Sequence, residues 1–102
     1  QVNYAPFPPD LLSPKSGANV FSVNNEVTLT WSSSDVDNDL STYKVYIDNV
    51  DGSTLLGSYT HSSETTSTAV SVLANTLYYW KVIATDANGN ESDSGVYTFR
   101  VQ

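Results

Sequence analysis

The feature that most constrains this chain is an alternation of apolar and polar side chains with a period of two residues, which recurs in separate segments. A period of two indicates a β-strand with one buried face, because successive side chains of a strand point to opposite faces. No window of the sequence shows a sustained helical period. In the clearest segments the apolar face comprises Val27, Leu29 and Trp31, then Tyr43, Val45 and Ile47, then Tyr78, Trp80, Val82 and Ala84, and finally Tyr97, Phe99 and Val101.

The composition also favours sheet over helix. Serine and threonine make up about a quarter of the 102 residues, and valine and tyrosine supply much of the apolar mass. These residue types have low helix propensity, and valine, threonine and tyrosine are enriched in strands. The absence of cysteine excludes disulfides, thiolate zinc sites and thiol nucleophiles. A chain of this length is sufficient for one domain with a single core.

Polar turns separate about seven predicted strands, which favours an all-β antiparallel sandwich. Residues 1–9 contain three of the four prolines and are predicted to be a stiff, proline-rich linker. Residues 10–102 are predicted to form the domain. Residues 15–19 are expected to be a turn, and residues 55–60 a short strand.

The charge limits the partners that the chain can bind. Eleven acidic residues against four basic ones give a formal net charge of −7. Such a chain is repelled by phosphate backbones and by anionic lipid, so we expect neither nucleic acid nor a membrane surface as a partner. No stretch approaches the roughly 18 apolar residues of a membrane span, and no charged leader precedes an apolar run. We therefore expect a soluble, mature chain.

Three segments together resemble strands B, C and F of fibronectin type III domains: residues 27–31 (VTLTW), 43–46 (YKVY) and 75–84 (NTLYYWKVIA). The bacterial extracellular branch of that family is the most similar, since residues 9–14 (PDLLSP) and 79–82 (YWKV) look like its opening and F-strand motifs. The resemblance covers nearly the whole chain. It implies an immunoglobulin-like antiparallel β-sandwich of about seven strands with fibronectin type III topology.

The resemblance also implies a role and a location. Such modules occur in secreted or cell-surface proteins, extracellular or periplasmic, as spacers between catalytic, binding or anchoring domains, and some take part in adhesion. Neighbouring domains of a longer chain are the implied partners, and we also consider another protein or a polysaccharide as a partner. No enzymatic activity and no required cofactor are expected of the domain itself.

The resemblance assigns structural roles to three aromatic residues. In that family a tryptophan of strand B centres the core, and Trp31 stands at the matching position. A tyrosine that opens strand F donates its hydroxyl to the preceding turn, and Tyr78 matches this tyrosine corner. Many relatives have leucine and proline where this chain has Val72 and Ala74, so the turn itself departs from the family pattern. The alternation of their strands independently places Trp31, Tyr78 and Trp80 in the core.

An acidic end of the sandwich is the first candidate site. If every connection is an antiparallel return, the turns after the second, fourth and sixth strands lie at the same end. Their side-chain oxygens suit a hard cation such as calcium, although Asp and Asn also cap turns and keep a surface soluble. An EF-hand is excluded because Leu40 and Tyr46 stand where that loop needs glycine and glutamate. The candidate calcium ligands are Asp35, Asp37, Asp39, Asp86, Asn88 and Asn90.

Exposed tyrosines form the second candidate site. Tyr46 and Tyr79 point away from the core by the parity of their strands, and we expect Tyr59 to join them. An aromatic strip of this kind stacks on sugar rings or on a partner protein. The alternative is that tyrosines on neighbouring strands only stabilise the sheet. These residues give two alternative functions, a carbohydrate-binding module that uses the tyrosines and a calcium-stabilised adhesion module that uses the acidic loops.

Catalysis has little support in the sequence. His61 is the only histidine, and no serine lies in a Gly-x-Ser-x-Gly context that would recruit it as a base. Paired carboxylates that cleave glycosides need a groove and one desolvated acid, whereas the acids here cluster on open loops. We therefore predict that the domain is not an enzyme.

Overall fold

The computed structural model describes residues 8–33, 40–60 and 65–102, so most of the predicted linker lies outside the described residues. Strands dominate the described part of the chain, which contains no helix. In chain order the strands are β1 (Asp10–Ser13), β2 (Ala18–Val20), β3 (Glu26–Ser32), β4 (Leu40–Asp48), β5 (Leu55–Thr60), β6 (Thr65–Ser71), β7 (Thr76–Asp86), β8 (Glu91–Asp93) and β9 (Tyr97–Val101).

The strands form two sheets, which confirms the predicted all-β sandwich. One sheet has the order β1-β3-β6, and the other has the order β2-β9-β7-β4-β5 with β8 beside β7. All pairs except one are antiparallel. The two strands beyond the expected seven are β2 and β8.

Strand β2 lies within what the sequence predicted to be a turn and its flank. It pairs in parallel with β9, so that Ala18 lies opposite Phe99 and Val20 opposite Val101. The cause is that the chain leaves β3 after Ser13, at Pro14, and crosses to the other sheet. A proline has no N–H to donate to a ladder, which favours this departure. The expectation of purely antiparallel pairing is therefore wrong at this edge.

Strand β8 lies in what the sequence predicted to be a loop. It pairs with the second half of β7, with Asp93 opposite Ile83 and Glu91 opposite Thr85, whereas β9 pairs with the first half. The long β7 therefore has two successive partners on one edge. Gly95, at a φ of 84°, turns the chain from β8 to β9, and this conformation suits a residue without a Cβ. Three polar residues carry no alternation, so the pattern could not predict β8.

The core lies between the two sheets and is centred on aromatic side chains. Trp31 and Trp80, which the parity of their strands placed there, are both 0% exposed. Trp31 packs edge-on against Tyr43, with ring centroids 5.8 Å apart. The buried phenol of Tyr43 accepts a hydrogen bond of 2.7 Å from the Ser33 hydroxyl. The other buried apolar residues are Leu11, Val27, Leu29, Val45, Ile47, Val70, Val72, Val82, Ala84, Phe99 and Val101.

Candidate functional site

The turn between β7 and β8 holds three of the predicted calcium ligands. Asp86, the last residue of β7, is only 3% exposed. One oxygen of its carboxylate accepts the backbone N–H groups of Asn88 and Asn90 at 2.9 and 2.8 Å, and the other accepts the Asn90 side-chain amide at 3.0 Å. Asp86 thus organises its own turn.

The hydrogen bonds around Asp86 also set its charge. Burial alone would raise the pKa of this carboxyl group, because desolvation disfavours the ionised form. The side-chain and backbone donors of Asn90 and the backbone donor of Asn88 outweigh that effect and hold the pKa below its ordinary value. Asp86 is therefore a carboxylate whose oxygens already have hydrogen-bond partners in the turn.

The remaining predicted calcium ligands, Asp35, Asp37 and Asp39, lie outside the described residues, as does His61. Within residues 8–33, 40–60 and 65–102, no group of three or more histidine or acidic side chains is placed to hold a metal ion. The calcium site stays a prediction, and in the described half of it the Asp86 carboxylate accepts three hydrogen bonds from its own turn.

Two acids of strand β8, next to the turn that Asp86 organises, form ion pairs with lysines of β4 and β7. Glu91 contacts the Lys44 ammonium at 3.2 Å, and Asp93 contacts that of Lys81 at 3.4 Å. Both lysines project from the face of β4 and β7 that points away from the core, here called the outer face. These partners are 47 and 12 residues apart in the sequence, so the sequence pattern could not predict either pair. Exposed pairs of this kind are worth about 0–1 kcal/mol each.

The outer face also carries Tyr46 and Tyr79. Tyr46 lies opposite Lys81, and Asp48 lies opposite Tyr79, so the two tyrosines are diagonal neighbours on adjacent strands. The Lys81 ammonium lies 5.2 Å from the centroid of the Tyr46 ring, within reach of a cation–π interaction. The structure therefore brings these two predicted ligand-binding residues onto one surface, beside a lysine that is itself held by Asp93.

Tyr59 does not belong to this surface. It lies opposite Tyr43, whose side chain is buried, so both tyrosines point towards the core. Its ring packs against Trp31, with centroids 6.0 Å apart. The expectation that Tyr59 joins Tyr46 and Tyr79, which are themselves half-buried, is corrected. The reason is the register shift between Val45 and Tyr46, where β5 carries the extra residue Leu56. An extra residue inverts the parity of the strand beyond it.

Tyr78 forms the expected hydrogen bond to the turn before β7, but with donor and acceptor exchanged. The backbone N–H of Leu73 donates to the Tyr78 hydroxyl at 2.8 Å, so the phenol oxygen accepts where the family pattern has it donate. The ring is half-buried and stacks on Phe99, at a centroid distance of 5.6 Å. The turn that departs from the family pattern in sequence thus keeps a tyrosine contact.

The turn between β4 and β5 contains a site that the sequence analysis missed. One oxygen of the Asp48 carboxylate accepts the backbone N–H groups of Val50, Asp51 and Gly52 at 2.9, 2.8 and 2.7 Å. The other accepts those of Ser53 and Thr54 at 2.9 and 3.0 Å. The available signal was an aspartate at a strand end immediately before a glycine-containing turn.

These five donors stabilise the ionised form of Asp48. The hydrogen bond from Gly52 contributes most, followed by that from Val50, and together with the others they hold the pKa of the Asp48 carboxyl far below its ordinary value. A carboxylate offers about four lone-pair sites, so five backbone donors occupy this one fully. It is a structural cap rather than a vacant ligand.

Comparison with known proteins identifies the fold only through structure. No family model matches the sequence, and a search of curated proteins finds no match. A structure of the fibronectin(III)-like modules of Clostridium thermocellum CbhA is 21% identical, with a TM-score of 0.71, and the match covers 99% of this chain and 47% of that chain.

Two other solved structures show how widely this fold is used. The α-L-rhamnosidase from Dictyoglumus thermophilum is 18% identical, with a TM-score of 0.65, over 97% of this chain and 12% of that chain. The superoxide reductase (neelaredoxin) from Ignicoccus hospitalis is 8% identical, with a TM-score of 0.65, over 95% of this chain and 82% of that chain. The chain thus spans less than half of the CbhA chain and a small part of the rhamnosidase.

The chain has a fibronectin type III-like fold. At these identities the likeness shows the fold alone, and the matching chains include fibronectin(III)-like modules as well as enzymes. The fold therefore does not assign the function, which depends on the surfaces of this molecule.

Proposed function

We propose that this chain is a non-catalytic extracellular module that acts as a spacer or interaction domain within a larger secreted or cell-surface protein. The observation that carries the proposal is the position of the first and last strands. β1 begins opposite Ser32, where β3 ends, and β9 ends opposite Thr76, where β7 begins. Segments attached before β1 and after β9 therefore leave from opposite ends of the sandwich.

The packing between these ends suits a rigid spacer. Four large side chains, those of Trp31, Tyr43, Trp80 and Phe99, are fully buried between the sheets. Close-packed interiors have low compressibility, so the separation of the two ends is fixed by the fold. A spacer needs this property, because it must hold its neighbours at one distance.

The carboxylates that the structure describes at the turns also support a non-catalytic role. Asp48 and Asp86 accept backbone hydrogen bonds, and Glu91 and Asp93 pair with lysines. A general acid or base has to face a substrate, and a nucleophile needs an adjacent activating group. These four acids instead serve the structure of the domain.

The comparisons supply the context of the proposal. The fold occurs as modules in the CbhA chain and as a minor part of the rhamnosidase chain, which supports an accessory position beside catalytic domains. The same likeness supports the part of the proposal that puts the protein outside the cell, in a bacterium. In the described part of the chain, no helix has the length and apolar character needed to cross a membrane.

Fluorescence energy transfer tests the spacer. Because the chain has no cysteine, Asp10→Cys and Gln102→Cys place two dyes cleanly at opposite ends. The eleven residues of β7 span roughly 35 Å at about 3.3 Å per residue, so we expect one narrow distance distribution near that value. Labels at Asp10 and Asn88, near the same end, form the control and should give a shorter distance. A broad or collapsed end-to-end distribution in native buffer would contradict the proposal.

Polysaccharide binding on the outer face is the second candidate function, and the diagonal placement of Tyr46 and Tyr79 favours it. Aromatic side chains on one face of a sheet offer stacking surfaces to sugar rings. Affinity electrophoresis in gels containing soluble β-glucan, mannan or xylan measures such binding. We expect polysaccharide in the gel to retard the original chain. The double variant Tyr46→Ala with Tyr79→Ala should lose this retardation, and Thr42→Ala, a change on the same face, should keep it. Equal mobility of all variants with and without polysaccharide would leave the tyrosines with a structural role only.

A further inference from the structure

Among the described residues, strand β6 has a neighbouring strand on one side only and is an edge of its sheet. The three-stranded sheet has the order β1-β3-β6, and β6 pairs with β3 along all seven of its residues without a register shift. By contrast β5, one of the two edge strands of the other sheet, is interrupted by the extra residue Leu56. Bulges of that kind are one way in which proteins protect an edge from pairing with another chain. In the part of the chain that the structure describes, β6 is thus a long and regular edge strand.

The backbone groups of β6 that face outward follow from the ladder. In an antiparallel pair, successive residues direct their N–H and C=O groups to alternate sides. The N–H of Val72, just after β6, donates to the Asn25 carbonyl at 2.9 Å, so the even-numbered residues face β3. Glu26, which lies opposite Ser71, exchanges both of its backbone hydrogen bonds with Val23, each at 3.0 Å. Its backbone groups therefore point away from β6, which confirms this parity. The backbone groups of Thr65, Ser67, Ala69 and Ser71 therefore point away from β3.

Charge does not protect this edge. The segment TTSTAVS contains no charged residue and no proline, although the chain as a whole carries a net charge of −7. Lysine, inward-pointing charge and proline are the usual protective residues on edge strands. An approaching strand would meet neutral, small and β-branched side chains here.

We propose that the β6 edge binds a second copy of this chain, β6 against β6, in an antiparallel pair centred on Thr68. In this register Ser67 lies opposite Ala69 of the second copy, and Thr65 lies opposite Ser71. The four outward-facing residues are symmetric about Thr68, so each of them meets an outward-facing residue of the other copy. Every outward backbone group of the strand then has a partner, and the two three-stranded sheets become one six-stranded sheet.

The side chains of β6 fit the same register. On the solvent face, exposed Ser67 is paired with exposed Ala69 of the second copy, and neither is large enough to obstruct the other. On the inner face, Thr68 lies opposite Thr68 of the second copy, and Thr66 opposite Val70. Pairs of threonine with threonine and with β-branched residues stabilise antiparallel strands. The strand is thus complementary to itself, which an interface with two-fold symmetry requires.

Sedimentation velocity over a wide range of protein concentration tests this pairing, and we expect a monomer–dimer equilibrium. Ala69→Pro is the first variant. Because the N–H of Ala69 faces away from β3, proline removes no bond of the existing ladder but removes two of those between the copies. We expect the dissociation constant to rise roughly tenfold or more, with an unchanged circular dichroism spectrum.

Two charge variants make the test independent of proline. The first is the double variant Ser67→Lys with Ala69→Lys. Each new lysine faces a lysine of the second copy, and because like charges repel, self-association should be lost. Mixing this variant with Ser67→Glu and Ala69→Glu should restore dimers that contain one copy of each. Thr28→Lys, on the same face of neighbouring β3, is the matched control and should dimerise as the original chain does.

Two outcomes would overturn the proposal. One is a chain that sediments as a monomer at every concentration. The other is a dimer that persists unchanged in folded Ala69→Pro and in the lysine variant. If that dimer instead dissociates in Phe21→Ser, a change at a side chain that is 81% exposed, the copies associate through the turn between β2 and β3 that carries Phe21.

Discussion

At the scale of single residues, aspartate has more than one role in this protein. Both carboxylate oxygens of Asp48 accept backbone N–H groups of the following turn. In Asp86 one oxygen accepts backbone N–H groups and the other accepts the Asn90 side-chain amide, whereas Asp93 pairs with Lys81. The residue type predicts an acid at the surface but not its partner. The number of N–H groups within reach decides whether the carboxylate is a structural cap or a free ligand.

The first residue-scale prediction concerns the core. Trp31→Ala should destabilise the domain by about 3–5 kcal/mol, because Trp31 is 0% exposed and the large cavity could not be refilled. This is a large part of the roughly 5–15 kcal/mol that stabilises a typical domain. Urea denaturation followed by circular dichroism measures the change. Phe21→Ala, at an exposed position, is the control and should stay within about 0.5 kcal/mol; similar midpoints for both variants would contradict the assigned core.

The second residue-scale prediction concerns Asp48 and pH. Folding lowers its pKa, so the carboxylate contributes stability above its unfolded pKa of about 3.9, and this contribution is lost as the pH falls through and below that value. Asp48→Asn places an amide N–H₂ against backbone donors. We expect it to lower the melting temperature clearly at about pH 7 and progressively less towards about pH 2.

Thermal melts of the original chain and of Asp48→Asn across that pH range measure the difference. Asp10→Asn, a change of an exposed carboxylate at the start of β1, is the control for the loss of one charge. The difference in melting temperature between the original chain and Asp48→Asn should shrink from neutral to acid pH. If it stays constant, the charge of Asp48 is not what stabilises the turn.

At the scale of elements, the turns at the acidic end can be tested for calcium. If Asp35, Asp37 and Asp39 bind the cation, calcium raises the melting temperature and EDTA lowers it, and replacement of all three by asparagine removes the difference. Asp86→Asn should behave differently. Because Asp86 organises its own turn, this change should lower the melting temperature equally with calcium and with EDTA. Identical melts of the original chain in both solutions would end the calcium hypothesis.

At the same scale, the strands differ in how far the sequence predicted them. β3, β4, β7 and β9 were predicted from alternation, since each has one face in the core and one in solvent. β2 and β8 each have only three residues and owe their conformation to a neighbour, β9 or β7. A strand that short has too few side chains to show a period, so only the completed sheet defines it.

At the scale of the whole molecule, the net charge of −7 should oppose the proposed self-association. The β6 edge contains no charged residue, so salt has no ion pair to weaken in the strand pairing and only screens the repulsion between copies. We therefore expect the dimer to become tighter between about 20 mM and about 500 mM NaCl. Sedimentation at both concentrations measures this, and a dimer that dissociates in high salt would indicate an ion-paired interface instead.

By itself, the sequence determined the class of the fold and the two faces of its long strands. The side-chain period of two placed Trp31 and Trp80 inside and Tyr46 and Tyr79 outside, because burial of one face is a local property of a strand. The tertiary structure decided what depends on register and on distant partners. The extra residue in β5 turned Tyr59 inward, and Lys44 met Glu91 across 47 residues of chain, since neither a bulge nor a contact between remote segments leaves a periodic signal in the sequence.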